Sequence, residues 1–577
     1  MTWLHRLIVL GVMVSAARGQ EGEKEAPPGE ADAASDVSTT TELDNDDGEV
    51  PKSSNDPIEP TPPPDWVRDA RWYYLDVSHF RNAESENDFP RELPWGTKDV
   101  PQDYTEWSLY GGDLQGFREK IPYLKELGVN ALLLDGVFPS TKNRALDSYF
   151  TLKHVREGIG VICKGEPEDC KSEFRTGDLL LLDIISEAQK QGFHIVIKLP
   201  IQKQGRISKM RPRSYWPVFY TDIKETLWQM NDRWLRKPGE STTDRGIDGW
   251  ALQPDAIKEI DGLAHWRAGI KSINRNCVLL ALNPTPSSER AVFVEKHVDA
   301  ALYTEPSDLV VRLFGEQAAG RKIGSTRDLE AARQKLHECV PRIDGGLTWD
   351  PRLFNCLTYD AKRYGEKEPV EAIKVATAQV VDRWRLAMVF QLLYSNDYAI
   401  PFGEEVGMVH EGPPWYPEPM WWNDLPNPES KRPTYRGDFY ALIQMLNTFR
   451  ARFAPLRRGD FKPVIADDEK KLLAFARTMP GDEVILVMNY GDTKQSVSLT
   501  VGQPGELVPV LSPQLKPLPM PRKGQPAPPE PDLTKIPELR VGAQREFVKL
   551  NGTIDFWVDP MGVRIVLIGD SARGGKK

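Results

Sequence analysis

The sequence is poor in cysteine, carries no excess of basic charge and lacks a long apolar run. Five cysteines occur in 577 residues, and 74 Lys and Arg stand against 84 Asp and Glu, a formal net charge of -10. Nucleic acids and anionic membranes require concentrated Lys and Arg, so neither is the expected partner. A membrane-spanning helix needs about twenty apolar residues, so we expect no transmembrane segment in the mature chain. No residue spacing resembles a metal site, and the sequence predicts no cofactor.

The N-terminal residues have the pattern of a secretory signal. One arginine precedes an apolar stretch, Leu7 to Ala17, and small residues suit cleavage before Gln20. We therefore expect residues 1–19 to be a signal peptide and the protein to be secreted, with an uncleaved signal anchor as the alternative. Residues 20–66 are rich in Glu, Asp, Pro, Ser and Thr, and they predict a disordered acidic tether because they bury too little apolar surface to fold.

The cysteines suit a secreted chain but leave one thiol over. Cys163 and Cys170 are close enough in sequence to close a small loop, and Cys339 and Cys356 flank a predicted strand. The disulfide connectivity stays open. Cys277 is then the odd residue, and it directly precedes an apolar run, so we expect a buried free thiol rather than a reactive one.

Short apolar runs alternate with amphipathic helices through residues 67–456. The strand candidates are Trp72 to Val77, Val129 to Leu134, His194 to Leu199 and Val278 to Leu282. Between the first two strands, apolar residues from Phe117 to Leu127 share one helical face, and Gly128 follows where a C-cap glycine would stand. The alternation predicts an α/β fold, a (β/α)8 barrel wrapped by helices, rather than a doubly wound sheet.

After residue 456 the pattern changes to alternating β-type runs. The segments KLLAFART, EVILVMNY and GVRIVLI are separated by Gly, Asp and a Pro-rich loop. Residues 457–570 therefore predict a small antiparallel β-sandwich. Asn551 begins an Asn-Gly-Thr sequence, which predicts a glycosylation site in a secreted chain.

Several segments are similar to those of the α-amylase family of glycoside hydrolases. YGGDLQGFREKIPYLKELGVNALLL resembles the stretch that joins the family's first two barrel strands, GIDGWAL its fourth strand and IPFGEEVGM its eighth. FYALIQMLNTFRARFAPLRRGDF resembles its last helix and the entry to the C-terminal sandwich. The resemblance spans residues 72–568 and implies an amylase-type barrel followed by a β-sandwich.

The positions that carry catalysis in that family hold unexpected residues. A retaining glycosidase needs a carboxylate nucleophile and a carboxylic acid across the scissile bond. An ungapped alignment on GIDGWAL places Gln253 in the nucleophile slot, whereas a two-residue insertion places Asp255 there. VLLALNPTPSSE places Asn283 in the general-acid slot, and the next carboxyl, Glu289, is expected to be exposed. An amide has no proton to donate near neutral pH, so acid catalysis would be lost.

Two further positions bear on the chemistry. In VIKLPIQKQG the slot of a family Asp holds Lys198, which reverses the local charge and disfavours an oxocarbenium-like transition state. TWDPRL retains Asp350 as the third acid, with a structural pairing to Arg352 as the alternative. Four aromatic residues of a Pro-rich loop are expected to pack on the barrel rim rather than stack on sugar rings: Trp415, Tyr416, Trp421 and Trp422.

Four segments are also similar to the heavy chains of heteromeric amino-acid transporters: LLALNPTPSSE, GGLTWDPRL, PMWWNDLPNP and RRGDF. Their ectodomain is an inactive amylase-like barrel, so this resemblance implies a catalytically inactive ancillary subunit. That family has a transmembrane helix and a membrane-proximal Cys that bonds the transporter, whereas this chain has the pattern of a signal peptide and is expected to be secreted. Its partner would be a membrane amino-acid transporter, held non-covalently because no Cys lies between Gln20 and Trp72, or a glycan. The alternative is a divergent α-glucosidase or maltase-like glycoside hydrolase, with Asp255 as nucleophile and Asp350 supporting it.

Overall fold

A computed structural model describes part of the chain. The described residues are 62–85, 110–137, 176–198, 231, 234–236, 246–252, 260–282, 297–303, 314, 342–345, 370–394, 397–408, 419–422, 437–503, 505–511 and 552–571. The chain divides into two units, residues 1–57 and 58–577, and every described residue belongs to the second. Several predictions fall on residues outside these ranges: the signal peptide, most of the tether, Cys163, Cys170, Cys339, Cys356 and Asn551.

The barrel consists of eight parallel strands that follow one another in chain order and close on themselves. Their bounds are β1 Trp72–Asp76, β2 Ala131–Asp135, β3 His194–Lys198, β4 Gly249–Leu252, β5 Val278–Leu282, β6 Ala300–Tyr303, β7 Arg342–Gly345 and β8 Asp397–Pro401. Strand β1 pairs with β2 and, across the closure, with β8, where Trp72 lies opposite Ala399. The four strand candidates and the (β/α)8 barrel are confirmed.

Side chains of the strands alternate between the barrel interior and the surrounding helical layer. On β2, Ala131 and Leu133 belong to a cluster formed by alternate residues of the strands, whereas Leu132 and Leu134 belong to the larger cluster shared with the helices. Both faces of β2 are therefore buried, which explains why a strand of this kind reads as a continuous apolar run. The same alternation turns Asp135, at the end of β2, towards the mouth of the barrel.

Helices and short turns cover the barrel. Their bounds are α1 Asp65–Asp69, α2 Val77–Phe80, α3 Leu114–Glu119, α4 Ile121–Glu126, α5 Thr176–Lys190, α6 Ile260–Ile273, α7 Val370–Tyr394, a 3-10 turn Glu404–Val406, α8 Gly437–Arg452 and α9 Pro455–Arg458. Among the helices in these ranges, none combines the length and the apolar character that a membrane crossing requires.

The helix predicted between β1 and β2 is in fact two helices, α3 and α4, that meet at Lys120. Pro122 lies in the first turn of α4 and lacks the N–H that a continuous helix would bond to the carbonyl of Arg118. The apolar residues of the predicted face are all buried: Phe117, Ile121, Leu124 and Leu127. Gly128 has a φ of 84°, the left-handed conformation that favours glycine after a helix.

The C-terminal strands form two antiparallel sheets. Their bounds are β9 Asp460–Asp467, β10 Leu472–Met479, β11 Asp482–Asn489, β12 Gln495–Thr500, β13 Gly505–Leu511, β14 Thr553–Val558 and β15 Gly562–Gly569. The larger sheet has the order β13-β15-β11-β10-β9, and β12 pairs with β14 in the smaller one. An apolar cluster with residues from both sheets forms the core between them. The predicted β-sandwich is confirmed.

Cys277 lies at the amino-terminal side of β5 and is a buried free thiol, as predicted. Its Sγ is 3.6 Å from the carbonyl oxygen of Ile247. Burial, with the nearby carboxylate of Asp248, raises the pKa of the thiol to about 12. The thiol is therefore protonated at neutral pH, which makes it a poor nucleophile.

Candidate functional site

Charged residues end three neighbouring strands at the carboxyl end of the barrel. Strands β1, β2 and β3 end in Asp76, Asp135 and Lys198. Asp76 is the register partner of Asp135, and Leu134 that of Ile197, so the three strand ends lie side by side. In barrel enzymes this face carries the active site, because the loops after all strands meet there. We take this edge as the candidate functional site.

Asp135 is the centre of the first cluster at this edge. Lys198 donates from Nζ to Oδ2 of Asp135, and the Tyr74 hydroxyl donates to the same oxygen at 2.5 Å. The backbone N–H of Gly136 donates to Oδ1 at 2.8 Å. The side chains of Asp135 and Lys198 are 24% and 27% exposed. The pair therefore offers a charged acceptor and a charged donor to a molecule in the barrel mouth.

The charge of Lys198 is balanced within this cluster. Burial lowers the pKa of the ammonium group, but the charge and hydrogen bond of Asp135, together with the charge of Asp76, outweigh burial and raise it. Lys198 is thus protonated across the physiological range. The expectation that Lys198 reverses the charge of this edge is corrected by the structure, because Asp135 on the adjacent strand compensates the ammonium group.

Asp76 organises a second cluster at the start of α2. Its Oδ1 accepts from the backbone N–H and the hydroxyl of Ser78, at 3.0 and 2.5 Å, and its Oδ2 lies 3.4 Å from Nδ1 of His79. Burial raises the pKa of Asp76, but the neighbouring His79, Ser78 and Lys198 outweigh it and lower the pKa. Asp76 is therefore an ionised hydrogen-bond acceptor at neutral pH and not a proton donor.

The Asp76 cluster does not have the geometry of a hydrolytic triad. In a triad the imidazole stands between the hydroxyl and the carboxylate. Here the Ser78 hydroxyl contacts both the Asp76 carboxylate and Nδ1 of His79, the latter at 2.5 Å. His79 is also buried and packs edge-on against the ring of Tyr110. The three residues fix the entry to α2 and the position of the carboxylate.

The sequence contained a signal for both clusters that the motif comparison missed. WYYLD and ALLLD are apolar strands that end in Asp76 and Asp135. A charged residue that ends a buried barrel strand reaches the face on which barrel enzymes build their sites. The candidate site therefore contains Asp76, Asp135 and Lys198. Of the family positions named in the sequence analysis, Lys198 is the one that lies within the described residues.

The predicted catalytic positions Gln253, Asp255, Asn283 and Asp350 lie outside the described residues. Strand β4 ends at Leu252 and β5 at Leu282, directly before two of them. The assignments on these positions, and the role of Glu289, stay predictions.

Two of the four rim aromatics are described, and both pack as predicted. Trp421 and Trp422 are buried. The Trp422 indole N–H donates to the carbonyl of Phe80, and Nζ of Lys120 lies 4.1 Å from the centre of its ring. Trp415 and Tyr416 lie outside the described residues.

A third carboxyl, Glu405, is fully buried after β8. Its Oε1 accepts from the hydroxyls of Tyr73 and Tyr123, at 2.5 and 3.1 Å, and its Oε2 accepts from the N–H of Gly403 at 3.0 Å. Burial raises the pKa of Glu405 to about 7 despite these hydrogen bonds. A pKa of about 7 would suit a general acid. However, Tyr73 packs with the helical layer and encloses the carboxyl group there, so we assign Glu405 a structural role.

Comparison with solved structures defines the class of fold. The structure of an α-amylase from Anoxybacillus matches with a TM-score of 0.56 at 16% identity, over 87% of this chain and 98% of that chain. The chain therefore has the α-amylase-type glycoside hydrolase fold, a (β/α)8 barrel followed by an antiparallel β-sandwich. No protein-family model matches the chain.

Sequence relatives extend over most of the chain. Neopullulanase 2 of Thermoactinomyces vulgaris is 26% identical over 476 residues, which cover 77% of this chain and 73% of the relative. A cyclomaltodextrinase of Geobacillus thermopakistaniensis is 24% identical over 477 residues, which cover 77% of this chain and 72% of the relative. Both relatives are named as enzymes.

These relatives correct the functional expectation. The prediction of a catalytically inactive subunit similar to transporter heavy chains is wrong, because the matched proteins are named for enzymatic activities. The expectation rested on amides at Gln253 and Asn283, which directly follow strand ends and lie outside the described residues, so the occupants of these slots stay predictions. Just beyond a strand end, one or two inserted loop residues change which side chain occupies a slot. Short motifs shared by active and inactive barrels do not separate the two classes.

Proposed function

We propose that the protein is a glycoside hydrolase that cleaves α-glucosidic bonds in maltodextrin-type oligosaccharides. The observation that carries this proposal is the similarity to a neopullulanase and to cyclomaltodextrinases over about three quarters of the chain. The charged strand ends of the barrel support it, because a sugar site needs several fixed donors and acceptors around each ring.

The described residues of the site have positioning roles in this proposal. Asp135 and Lys198 bind sugar hydroxyls as a paired acceptor and donor, and Asp76 fixes the loop that starts at α2. Because Lys198 is neutralised by Asp135, it does not oppose the positive charge that develops on the sugar in the transition state. The edge therefore tolerates an oxocarbenium-like species.

The bond-breaking groups are proposed from the sequence. Asp255 is the nucleophile and Asp350 the supporting carboxylate. The general acid is assigned to Glu289, the first carboxyl after β5 in the sequence. A retaining reaction requires the nucleophile and acid to stand about 5 Å apart.

The proposal is tested with purified protein from Gln20 onward, assayed for glucose release from maltose and from aryl α-glucosides. Asp255→Ala and Asp350→Ala should remove turnover of both substrates. Glu289→Gln should remove turnover of maltose but spare bond cleavage in a 4-nitrophenyl glucoside, because that leaving group needs no proton. Turnover that is absent in the parent protein, or unchanged in the Asp255 and Asp350 variants, would overturn the assignment.

The proposal includes export of the enzyme. The N-terminal pattern of an arginine, an apolar stretch and small residues before Gln20 supports a cleaved signal. N-terminal sequencing of the protein from a eukaryotic secretory host should give Gln20 as the first residue. Retention of Met1 in cell-associated protein would contradict export.

A further inference from the structure

The single turn of α2 ends in carbonyl groups that bond to a segment after β8. In the last turn of a helix, the carbonyl groups have no N–H partner within the helix. The backbone N–H of Met420 donates to the carbonyl of His79 at 2.7 Å. Two residues further along, the indole N–H of Trp422 donates to the carbonyl of Phe80. Residues 419–422 therefore satisfy two neighbouring carbonyl groups that the helix itself leaves open.

Trp422 is held in place by the side chains around it. It is buried, and its ring meets the rings of Phe80 and Tyr123 edge-on, with 5.2 and 5.1 Å between the ring centres. Nζ of Lys120 lies 4.1 Å from the centre of the indole, where the electrons of the ring attract a cation. Because the ring is closely packed by these neighbours, its N–H keeps one direction, towards the carbonyl of Phe80.

The same turn carries the groups that hold the carboxylate of Asp76. The backbone N–H and the hydroxyl of Ser78 donate to Oδ1 of Asp76, and Nδ1 of His79 lies 3.4 Å from Oδ2. Ser78 and His79 directly precede Phe80 in the turn. A displacement of the Phe80 carbonyl therefore moves the partners of the Asp76 carboxylate as well.

The Asp76 carboxylate lies against the chain at the end of β2. A Cβ atom placed on Gly136 would stand 2.7 Å from Oδ1 of Asp76, so the carboxylate packs on the backbone there. The N–H of Gly136 donates to Oδ1 of Asp135, and the charge of Asp76 also acts on Lys198. The position of Asp76 thus bears directly on the pair that forms the centre of the candidate site.

We infer that Trp422 is a positioning residue of the candidate site. Its indole N–H fixes α2, and α2 fixes the carboxylate of Asp76 beside the pair of Asp135 and Lys198. The segment after β8 is thereby coupled to the end of β1, although 342 residues separate Phe80 from Trp422. The inference rests on the proposed function for its effect on turnover, whereas its effect on α2 is independent of any reaction.

Trp421 provides the matched control. It is the neighbour of Trp422, is also buried and belongs to the same apolar cluster. Its indole N–H, however, has no acceptor in the described part of the chain. Trp422→Phe and Trp421→Phe remove the same atoms from the same segment, but the first alone removes a hydrogen bond to α2. The difference between the two variants separates this bond from the loss of packing.

Hydrogen exchange followed by mass spectrometry tests the coupling. In Trp422→Phe, peptides covering residues 76–82 should exchange about tenfold faster than in the parent protein, because the turn loses a hydrogen bond that holds it closed. Trp421→Phe should exchange as the parent does, and peptides of β10 and β11 should be unchanged in both variants. Unchanged exchange of residues 76–82 in Trp422→Phe, or an equal rise in both variants, would overturn the inference.

Lys120→Met is a milder variant that keeps the indole and its hydrogen bond. It removes the cation that lies over the ring. The same peptides should exchange about threefold faster, because the indole is held less firmly. An unchanged exchange rate would remove Lys120 from the coupling and would count against a fixed Trp422 ring.

Steady-state kinetics with maltose tests the consequence for the reaction. Trp422→Phe should lower kcat/KM about tenfold, with the loss mainly in KM, because displaced Asp135 and Lys198 bind the sugar less well. A partly unfolded preparation would instead lower kcat alone, and that result would overturn the positioning role. Trp421→Phe should change kcat/KM by less than about twofold.

Failure of the inference and failure of the proposed function are distinguishable, because hydrogen exchange needs no turnover. Faster exchange in Trp422→Phe without turnover of maltose by the parent protein would contradict the proposed hydrolase but keep the coupling to α2. Turnover by the parent protein with exchange unaffected by Trp422→Phe would do the reverse.

Discussion

The two ends of the barrel use carboxylates in different ways. At the amino end, Asp248 directly precedes β4 and Asp299 directly precedes β6, and each accepts a backbone N–H from the preceding strand, Ile195 at 2.7 Å and Leu279 at 2.8 Å. Both are buried. At the carboxyl end, Asp135 is partly exposed and is bonded mainly by side chains. The carboxylates of the amino end therefore hold strands together, whereas Asp135 at the carboxyl end remains accessible in the candidate site.

The Asp299 cluster is the clearest case of the stabilising end. Arg267 and Lys271 approach the same carboxylate oxygen at 2.7 and 2.9 Å, while Leu279 uses the other. Arg267 and Lys271 come from α6, so the carboxylate joins a helix to two strands. A buried charge in this position is held by complete pairing, and loss of one partner leaves the others uncompensated.

The largest expected effect is therefore at Asp299. Asp299→Ala should lower the free energy of unfolding by about 3–5 kcal/mol, because it leaves two buried cations and one backbone N–H without their acceptor. Urea unfolding followed by circular dichroism measures the change. Asp492→Ala, at an exposed turn, is the control and should change stability by less than ~0.5 kcal/mol. A loss below 1 kcal/mol for Asp299→Ala would contradict a stabilising role of the carboxylates at the amino end.

Glu405 follows β8 at the carboxyl end of the barrel but is buried like the carboxylates of the amino end. Its pKa of about 7 lies above the ordinary value of 4.5. Between these pH values the native state keeps a proton that the unfolded state has released. Stability should therefore fall as pH rises from about 4.5 to 7, by about 3 kcal/mol in total, and stay level above that range.

Glu405→Gln tests this through the slope of stability against pH. The variant should lose the fall between pH 4.5 and 7, whatever its absolute stability, because an amide does not titrate. Glutamine keeps one acceptor oxygen in place of two, so at least about 1 kcal/mol of hydrogen bonding is lost at every pH, which does not change the slope. If the variant kept the parent protein's slope of stability against pH, the titrating group would be one other than Glu405.

The architecture was predictable from the sequence because the strands are runs of apolar residues, and because the periodicity of each helix is visible among neighbouring residues. Gly128 was predictable for the same reason, since helix ends carry local signals. The break at Lys120 was missed although Pro122 was visible, because the apolar face runs unbroken across both helices.

The ion pairs of the two barrel ends were not predictable in the same way. Asp299 pairs with Arg267, which is 32 residues away in the sequence, and Lys198 pairs with Asp135, which is 63 residues away. Neither sequence separation corresponds to the repeat of a helix or a strand. Their partners depend on strand register and on the depth of each strand in the barrel. The candidate site was missed in part because family positions were read one by one, whereas the compensating carboxylate lies on the next strand.

The smallest effect on stability, and the sharpest test of the chemical end, is expected at Asp135. Asp135→Asn should lower kcat/KM for maltose about 100-fold, because the sugar loses a charged acceptor and Lys198 loses the group that orients it. The free energy of unfolding should change by less than ~1 kcal/mol, since the pair is partly exposed to water. Steady-state kinetics and urea unfolding of the same preparations give both numbers.

A double-mutant cycle separates a paired role from two independent ones. Lys198→Met alone should resemble Asp135→Asn, and the double variant should be no worse than either single variant, because each substitution already breaks the same pair. Additive losses would mean that Asp135 and Lys198 bind the sugar separately. A loss of several kcal/mol of stability in Asp135→Asn with activity intact would place this carboxylate with Asp299, and the division between the two ends of the barrel would fail.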